Sequence, residues 1–522
     1  MAINYIKNFD FSLAAQYLTV TWVVYIIAGV FYNLFFHPLT NVPGPIYCKI
    51  SKIPWDYWQW TGRLPQKTAK VHAKYGEIVR IGPNELSFTN NAAWNDIFGK
   101  IPGRAQWPRH PKRVPQGKNG PKSLMNTAGS EHARFRRLLS HAFSEKGLQE
   151  QQGLITKYID LFIRRVDEFA RERQSIDITK WFVMVGFDII SDLGWSEPFN
   201  CVENGEVHEW IKTFAETAFD TQLKFLLREH HLMFLAPYII PMKLQLARLA
   251  NFKYALARVD DRIKQGGIRG DFWDQITIKS AENNVGGEGL TKEEMVVAAV
   301  TLVGTGSHTI STLLTGLTYF LGTNPHAMKK LLNEIRESFV SPEEINFVTI
   351  HKLKYQTACL NETMRLYPPV ITMLWRTPPT GGGHAAGIFI PEGTGCNMSF
   401  FGIAHNPDYF TRPLEFCPER FLPDPPAEFL DDNHEAYHPF SLGAFSCLGQ
   451  NLANAEARLI ITKLLWHFDF ELDRNVDKDW LDQKSYAVFV KKDLHVRFSP
   501  RPSVDLSPVS TLKADSSNGH KQ

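Results

Sequence analysis

The stretch HPFSLGAFSCLGQNLANAEARL, residues 438–459, contains one cysteine, Cys447, between Gly443 and Gly449. A helical pattern begins directly after the cysteine and continues to about His467. The pattern places the thiol at a helix N-terminus, where free N–H groups and the helix dipole stabilise a thiolate. The two glycines would let the backbone turn tightly and approach a flat partner closely.

The other cysteines give no support to a disulfide framework or a zinc site. Cys48, Cys201, Cys359, Cys396 and Cys417 are scattered, with no close pair and no CxxC. This usage favours a reducing compartment. A single cysteine is most often a small buried hydrophobe, and a nucleophilic cysteine would need a histidine that the sequence alone cannot place nearby.

Two further motifs precede the cysteine. NETMRLYPP places Glu362 and Arg365 three residues apart, on one face of a helix where they can pair. FCPERF then contributes Arg420. An isolated ExxR is usually a solvated surface pair, but here ExxR, PERF and F-x-x-G-x-x-x-C-x-G occur in order along the chain.

With these three motifs the chain resembles a cytochrome P-450, a haem-thiolate monooxygenase, from its N-terminal apolar segment to about Phe498. EHARFRRLLSHAFS and RLYPPV are most similar to fungal, membrane-bound members of secondary metabolism, such as trichothecene oxygenases. The resemblance implies haem as the cofactor. No P-loop or flavin fingerprint is evident, so NADPH is expected to act only through a separate haemoprotein reductase, with a cytochrome b-type protein as an optional second donor.

The resemblance also assigns site residues. Cys447 is the expected thiolate ligand of the haem iron, which favours O–O cleavage. Glu362, Arg365 and Arg420 are expected to form a buried structural network behind the haem. The other expected cofactor contacts are His132, Arg136 and Arg376 at the propionates, Phe440 near the sulfur, and Phe445 and Gly449 in the cysteine loop.

The residue two positions before the cysteine departs from the family pattern. An arginine, or sometimes a histidine, commonly contacts a propionate there, whereas this chain has Phe445. In one interpretation the other three donors suffice and Phe445 only packs against the haem edge. In the other, haem is held more weakly or its reduction potential is shifted.

A second departure lies on the longest helix. The family pattern there is small-Gly-x-acid-Thr, and this chain reads Thr305, Gly306, Ser307, His308, Thr309. Histidine can carry protons near neutral pH. One hypothesis is that His308 relays protons towards Thr309 in place of the carboxylate. The alternative is that His308 only hydrogen-bonds to helix backbone and that water supplies the protons.

The resemblance places the substrate pocket across the haem from Cys447, with Thr305, Val370 and Met373 as candidate wall residues. Abundant Phe, Leu and Met side chains favour a hydrophobic substrate such as a terpenoid or a polyketide–peptide product. Three functions stay open. They are a monooxygenase with a simple or atypical outcome, such as desaturation or ring expansion; an O2-independent isomerase or lyase, against which Thr309 argues; and a non-catalytic haem binder.

Composition indicates one large folded domain. The 522 residues are 44% hydrophobic and 21% charged, which predicts a well-buried core. The net charge of +3 gives no reason to propose nucleic acid as a partner. We expect the haem-thiolate domain to span residues 51–498 and the Ser- and Pro-rich residues 499–522 to be a disordered tail.

The N-terminal segment predicts a membrane anchor. Residues 11–36 carry no charge and include roughly twenty mostly apolar positions, about enough to cross a bilayer. A signal peptide fits less well because the apolar run is long and lacks a basic n-region. Lysines and arginines follow the segment, so the positive-inside rule indicates that the body of this single-pass protein lies in the cytoplasm. The resemblance to membrane-bound cytochromes P-450 implies that the membrane is that of the endoplasmic reticulum. The expected divisions are a luminal N-terminus at 1–12, the anchor at 13–36 and a Pro-rich hinge at 37–50.

Hydrophobic periodicity predicts a mainly α fold with minor β structure. Helices are expected at about 131–143, 152–173, 206–227 and 244–265. The clearest helix starts with a capping box of Thr291 and Glu294, stops near Gly322, and is apolar on all sides, so it should run through the core. The resemblance implies that this helix crosses the core over the haem. Short strands are expected near 77–87, 387–390 and 486–498.

Overall fold

The computed structural model describes residues 11–113, 122–266, 268–274, 276, 289–371, 375–477 and 479–501. The chain is mainly helical with small sheets, which confirms the predicted fold class. The α-helices of four or more residues in these ranges are α1 Phe11–Phe35, α2 Ile46–Ile50, α3 Ile53–Trp60, α4 Leu64–Tyr75, α5 Gly129–Ser140, α6 Glu145–Arg171, α7 Ile178–Trp195, α8 Cys201–Asn204, α9 Glu209–Glu229, α10 Ala236–Ile239, α11 Met242–Gln265, α12 Lys292–Thr323, α13 Pro325–Ser338, α14 Lys354–Leu366, α15 Phe400–Ala404 and α16 Gln450–His467.

The strands are short. They are β1 Ile78–Gly82, β2 Glu85–Phe88, β3 Ser175–Asp177, β4 Gly383–Ala385, β5 Ile388–Ile390, β6 Gly395–Met398, β7 Phe468–Leu472, β8 Ser485–Tyr486, β9 Val488–Phe489 and β10 His495–Pro500.

Helix α12 is the central element of the core. It begins with the predicted capping box, because Thr291 Oγ1 accepts from the Glu294 N–H and the Glu294 carboxylate accepts from the Thr291 N–H. Its 32 residues correspond to about 48 Å at 1.5 Å per residue. Helix α7 packs closely along it. A Cβ on Gly306 would lie 2.9 Å from the Ile190 side chain, so glycine at this position permits the two helices to approach.

Two three-stranded sheets lie at the sides of the helical core. In the first, β2 pairs antiparallel with β1 and parallel with β6, with Leu86 opposite both Arg80 and Cys396. An isolated bridge between Cys396 and Arg376 continues this sheet towards the site. In the second sheet, β10 pairs antiparallel with β3 and β7. Pairing of β10 continues through Ser499 and Pro500, two residues into the segment expected to be disordered.

Helix α1 projects from the folded body. Within it, Ala15–Phe35 has a mean hydropathy of 1.8 and none of its hydropathy window is buried, so it is long and apolar enough to cross a membrane. Helix α12 passes the same test of length and composition, but 61% of its window is buried inside the protein. We therefore assign α12 to the core and regard α1 as a membrane anchor.

Candidate active site

Cys447 lies in a tight loop just before α16. The loop contains a 3₁₀ turn at Gly443–Phe445, and the Cys447 N–H donates to the Phe440 carbonyl at 2.8 Å. Gly443 has a φ of +70°, and a Cβ there would lie 2.2 Å from the Phe98 carbonyl oxygen, so only glycine fits. A Cβ on Gly449 would lie 3.9 Å or more from its neighbours, so protein atoms alone do not require that glycine.

The Cys447 side chain differs from the other cysteines in its exposure. The other five cysteines are buried, whereas the Cys447 side chain is accessible. Burial nevertheless raises the pKa of the Cys447 thiol, with an opposing effect from the Gly449 N–H and from Arg136. A side chain that is accessible and yet surrounded by protein is expected where the protein holds a large bound cofactor. A metal bound to the Cys447 sulfur would deprotonate the thiol outright.

Donor groups cluster around Phe445, two residues before Cys447. The guanidinium carbon of Arg376 lies 4.6 Å from the ring centroid of Phe445, and that of Arg109 lies 5.1 Å away. The His132 ring lies 4.4 Å away, centroid to centroid. Arg376 Nε and Nη2, Arg109 Nε and His132 Nε2 are buried and have no hydrogen-bond partner among the described residues. A buried cluster of unpaired donors requires an anionic or acceptor group.

Arg136 contacts the backbone of the cysteine loop and does not contribute to the cluster of unpaired donors. Its Nη1 donates to the Ala444 carbonyl at 3.1 Å and to the Ser446 carbonyl at 2.6 Å, and its Nη2 donates to Ser446 Oγ at 3.0 Å. These bonds brace the loop on both sides of Phe445. The arginine therefore positions the residues next to Cys447, and its positive charge lies close enough to favour a thiolate there.

These features together fit a haem. An accessible thiol provides the axial ligand, and the unpaired Arg376, Arg109 and His132 donors provide partners for carboxylates. Among the residues that the structure describes, no cluster of three or more His, Cys, Asp or Glu could hold a bare metal ion. A single sulfur ligand next to arginines suits a metal carried by an acidic macrocycle.

The ExxR and PERF residues meet in the interior. Glu362 accepts from Arg365 Nε at 2.7 Å and from Arg420 Nε at 3.2 Å, and all three side chains have no exposed surface. Glu362 also accepts from the Cys417 N–H at 2.9 Å. Arg365 donates further to the carbonyls of Ala404, at 2.5 Å, and Pro413, at 2.7 Å. The network joins helix α14 to the segments that lead to the cysteine loop.

Asp432 completes this network. Its carboxylate is ion-paired with Arg420 Nη1 and is 1% exposed, so two buried carboxylates balance two buried guanidiniums. Asp432 also accepts from the Thr411 N–H at 2.7 Å. Sequence analysis missed Asp432 because no motif spacing marks it.

The predicted site residues on α12 differ in their surroundings, because the two threonines are accessible and the His308 ring packs against a neighbouring helix. Thr305 is exposed and Thr309 is half-buried, and Thr309 Oγ1 donates to the Thr305 carbonyl at 2.9 Å. The His308 ring instead lies edge-on to Phe187 of α7, with 5.3 Å between ring centroids. Burial and the nearby charge of Lys491 lower the pKa of His308 to about 3, so its imidazole is neutral at physiological pH.

The remaining predicted pocket residues are only partly placed. Val370 is half-buried directly after α14, and Phe440 is half-buried in the segment before Cys447. Met373 lies outside the described residues.

Arg109 was not predicted from the sequence. It carries no motif spacing, and only the loop preceding α5 brings it to Phe445.

Comparison with known proteins agrees with this geometry. The family model described as Cytochrome P450 matches residues 52–498. The chain is 79% identical to "Cytochrome P450 monooxygenase vrtK" of Penicillium aethiopicum over 99% of this chain and 97% of the relative.

More distant relatives carry names that specify reactions. "Versicolorin B desaturase stcL" of Emericella nidulans is 38% identical over 92% of this chain and 97% of its own length. "Averantin hydroxylase" of Dothistroma septosporum is 36% identical over 94% of this chain and 93% of its own length. Desaturation and hydroxylation thus both occur among proteins similar to this one.

Proposed function

Because the chain belongs to the cytochrome P450 family and is a haem-dependent monooxygenase of fungal secondary metabolism, we propose that it hydroxylates or desaturates a hydrophobic polyketide, with Cys447 as the iron ligand. The observation that carries this proposal is the accessible Cys447 thiol next to unpaired buried arginine donors. The named desaturases and hydroxylase among the relatives favour a polyketide over a terpenoid.

When bound, the haem supplies O2 activation and the oxidising equivalent that attacks a substrate C–H bond. Cys447 would hold the iron and donate electron density to it. Arg136 and the Gly449 N–H stabilise its negative charge and hold the loop in place. Thr309 holds a hydroxyl on the accessible side of α12, where it can pass a proton from water.

The proposal is tested by finding the substrate in the host. Deleting the gene is expected to accumulate a hydrophobic polyketide. The purified full-length protein with a haemoprotein reductase should then convert that metabolite to a product that is 16 mass units heavier or 2 lighter. Conversion without NADPH or O2 would favour an isomerase or lyase, and haem binding with no conversion would favour a non-catalytic haem binder. Either result would reject the proposal.

The electron source is expected to be a separate protein. The family generally takes electrons from a reductase, and neither a P-loop nor a flavin fingerprint is evident in this sequence. We propose an NADPH-dependent haemoprotein reductase on the same membrane, with a cytochrome b-type donor as an optional second source.

The proton donor can be tested with two substitutions on the same helix. We expect Thr309→Ala to lower the product formed per NADPH by at least about tenfold and to divert the electrons to hydrogen peroxide, since general acid–base groups typically contribute ~10²–10⁴-fold to rate. His308→Ala should leave coupling within about twofold, because burial keeps His308 neutral and its ring faces Phe187. Both are measured with the accumulated metabolite as substrate. If His308→Ala diverts as much NADPH to hydrogen peroxide as Thr309→Ala does, the result would instead support a proton relay through His308.

We propose that residues 1–12 lie in the lumen of the endoplasmic reticulum, 13–36 cross the bilayer, and 51–498 face the cytoplasm, with 37–50 as the hinge and 499–522 as the tail. An exposed apolar face supports contact between the folded body and the membrane. Phe234 is 68% and Tyr238 86% exposed in the segment before α11, and Ile53 on α3 is 72% exposed. A hydrogen bond of 2.7 Å between Asp56 and His230 connects α3 to this segment.

Membrane attachment should therefore depend on two parts of the chain. Deleting residues 2–36 is expected to make the protein extractable by alkaline carbonate while it still binds lipid vesicles. Adding Phe234→Ser and Tyr238→Ser should then lower vesicle partitioning by at least tenfold, since each buried aromatic side chain contributes about 1.5–3 kcal/mol. Val340→Ser, at a residue that is 90% exposed after α13, is the matched control. Equal losses for the control would contradict a specific membrane face.

A further inference from the structure

The cysteine loop lacks the cation that the family pattern leads one to expect at position 445, and the structure indicates a substitute. We propose that Arg109, from the loop before α5, binds a haem propionate together with Arg376 and takes the role that Phe445 cannot perform. The inference rests on haem being the cofactor and not on the identity of the substrate or the reaction.

Backbone pairing holds Arg109 beside Arg376. The two residues form an isolated antiparallel bridge, and Arg376 is bridged in turn to Cys396 of β6. The His110 N–H donates to the Trp375 carbonyl at 3.2 Å, and the Thr377 N–H donates to the Pro108 carbonyl at 3.1 Å. The loop that carries Arg109 is thus an added edge of the first sheet, so the position of this arginine is built into the fold.

Phe445 is the residue of the cysteine loop that contacts both guanidiniums. Both cations pack on its ring, at 4.6 Å for Arg376 and 5.1 Å for Arg109. An arginine at position 445 would add a third like charge to this cluster. Phenylalanine removes that repulsion and provides a flat surface against which the two arginines are oriented.

Neither arginine has an anionic partner in the described part of the chain. Besides its contact with the Phe445 ring, the Arg109 side chain makes one long hydrogen bond, from Nη1 to Met125 Sδ at 3.7 Å, and its Nε has no hydrogen-bond partner. Arg376 makes one marginal bond of 3.5 Å to the Trp375 carbonyl. Burial lowers the pKa of Arg109 to about 10 and that of Arg376 to about 9. Two unpaired buried cations are costly, and the two propionates of one haem would neutralise them.

The other candidate donors differ from Arg109 in their partners or in their charge. Arg136 already donates to Ala444 and Ser446. Burial and the surrounding arginines lower the pKa of His132 to about 4, so it is a neutral donor at physiological pH. Arg109 is the remaining cation that contacts Phe445.

The test is the rate at which ferric haem leaves the full-length protein for excess apomyoglobin, followed by absorbance. Arg109→Gln is expected to speed transfer by about tenfold to a hundredfold, since a hydrogen bond to a charged group contributes about 1.5–3 kcal/mol. Its reduction potential should fall, because removing a nearby positive charge favours the oxidised iron. Arg104→Gln, an exposed arginine on the same loop paired with Asp96 at 3.1 Å, should stay within about twofold of the wild type.

A charge swap separates a direct role from a packing role. In Arg109→Gln combined with Phe445→Arg, a guanidinium returns to the cluster from the cysteine loop, and transfer should slow to within about threefold of the wild type. If Arg109→Gln folds poorly, Arg109→Lys keeps the charge and should transfer haem more slowly than the glutamine variant. The proposal is overturned if Arg109→Gln matches Arg104→Gln, or if the swap releases haem as fast as Arg109→Gln. The carbon monoxide spectrum of the wild type tests Cys447 independently.

Discussion

Replacing Cys447 with serine is expected to abolish the red-shifted absorption of the reduced carbon monoxide complex and to lower product formation by more than about 100-fold. That factor is the upper range for removing a group that only hydrogen-bonds to a metal ligand, and Cys447 is the proposed ligand itself. Serine keeps the approximate size and the hydrogen-bonding capacity of the side chain, but it contains no sulfur and therefore cannot provide the thiolate that ligates iron. The measurement is the reduced carbon monoxide difference spectrum together with turnover of the metabolite found by gene deletion.

The control for this experiment is Cys48→Ala, which removes a fully buried thiol from a separate small hydrophobic cluster. It should cost some stability and leave the spectrum unchanged. A Cys447→Ser protein that retained the red-shifted band would mean that another residue supplies the sulfur, and the proposed site would then be wrong.

Replacing Glu362 with glutamine is expected to destabilise the folded protein by about 3–5 kcal/mol, the usual effect of removing one partner from a buried ion pair. The substitution leaves both Arg365 and Arg420 buried, and Asp432, which pairs with Arg420, is then the one carboxylate left in the network. Because the network joins α14 to segments leading to the cysteine loop, haem should be lost at a lower denaturant concentration. The measurement is the midpoint of haem release during urea denaturation.

Glu428→Gln provides the matched control for the network. Glu428 is 51% exposed and pairs with Arg412 at 2.9 Å on the surface, so its loss should change stability by no more than about 1 kcal/mol. Equal shifts of the midpoint for the two variants would show that the buried network does not stabilise the cysteine loop. Glu362→Asp should lie between wild type and Glu362→Gln, because it keeps the charge but shortens the reach.

Local patterns in the sequence predicted most of the helical framework. The capping box at Thr291 and Glu294 formed, and the expected helix after Cys447 is α16. The pairing of Glu362 with Arg365 could be predicted because both residues lie on one turn of the same helix. Each of these features depends on residues a few positions apart, so the sequence contains the information needed to place them.

The sequence by itself determined the fold class, the anchor segment and the cysteine loop, since periodicity, hydropathy and motif spacing are properties of nearby residues. Only the tertiary structure placed Arg109 beside Arg376, Asp432 beside Arg420, and the His308 ring against Phe187. Those contacts join residues from separate segments. Their positions depend on how sheets and helices pack, and the cost of burying an unpaired charge acts only after that packing has brought the groups together.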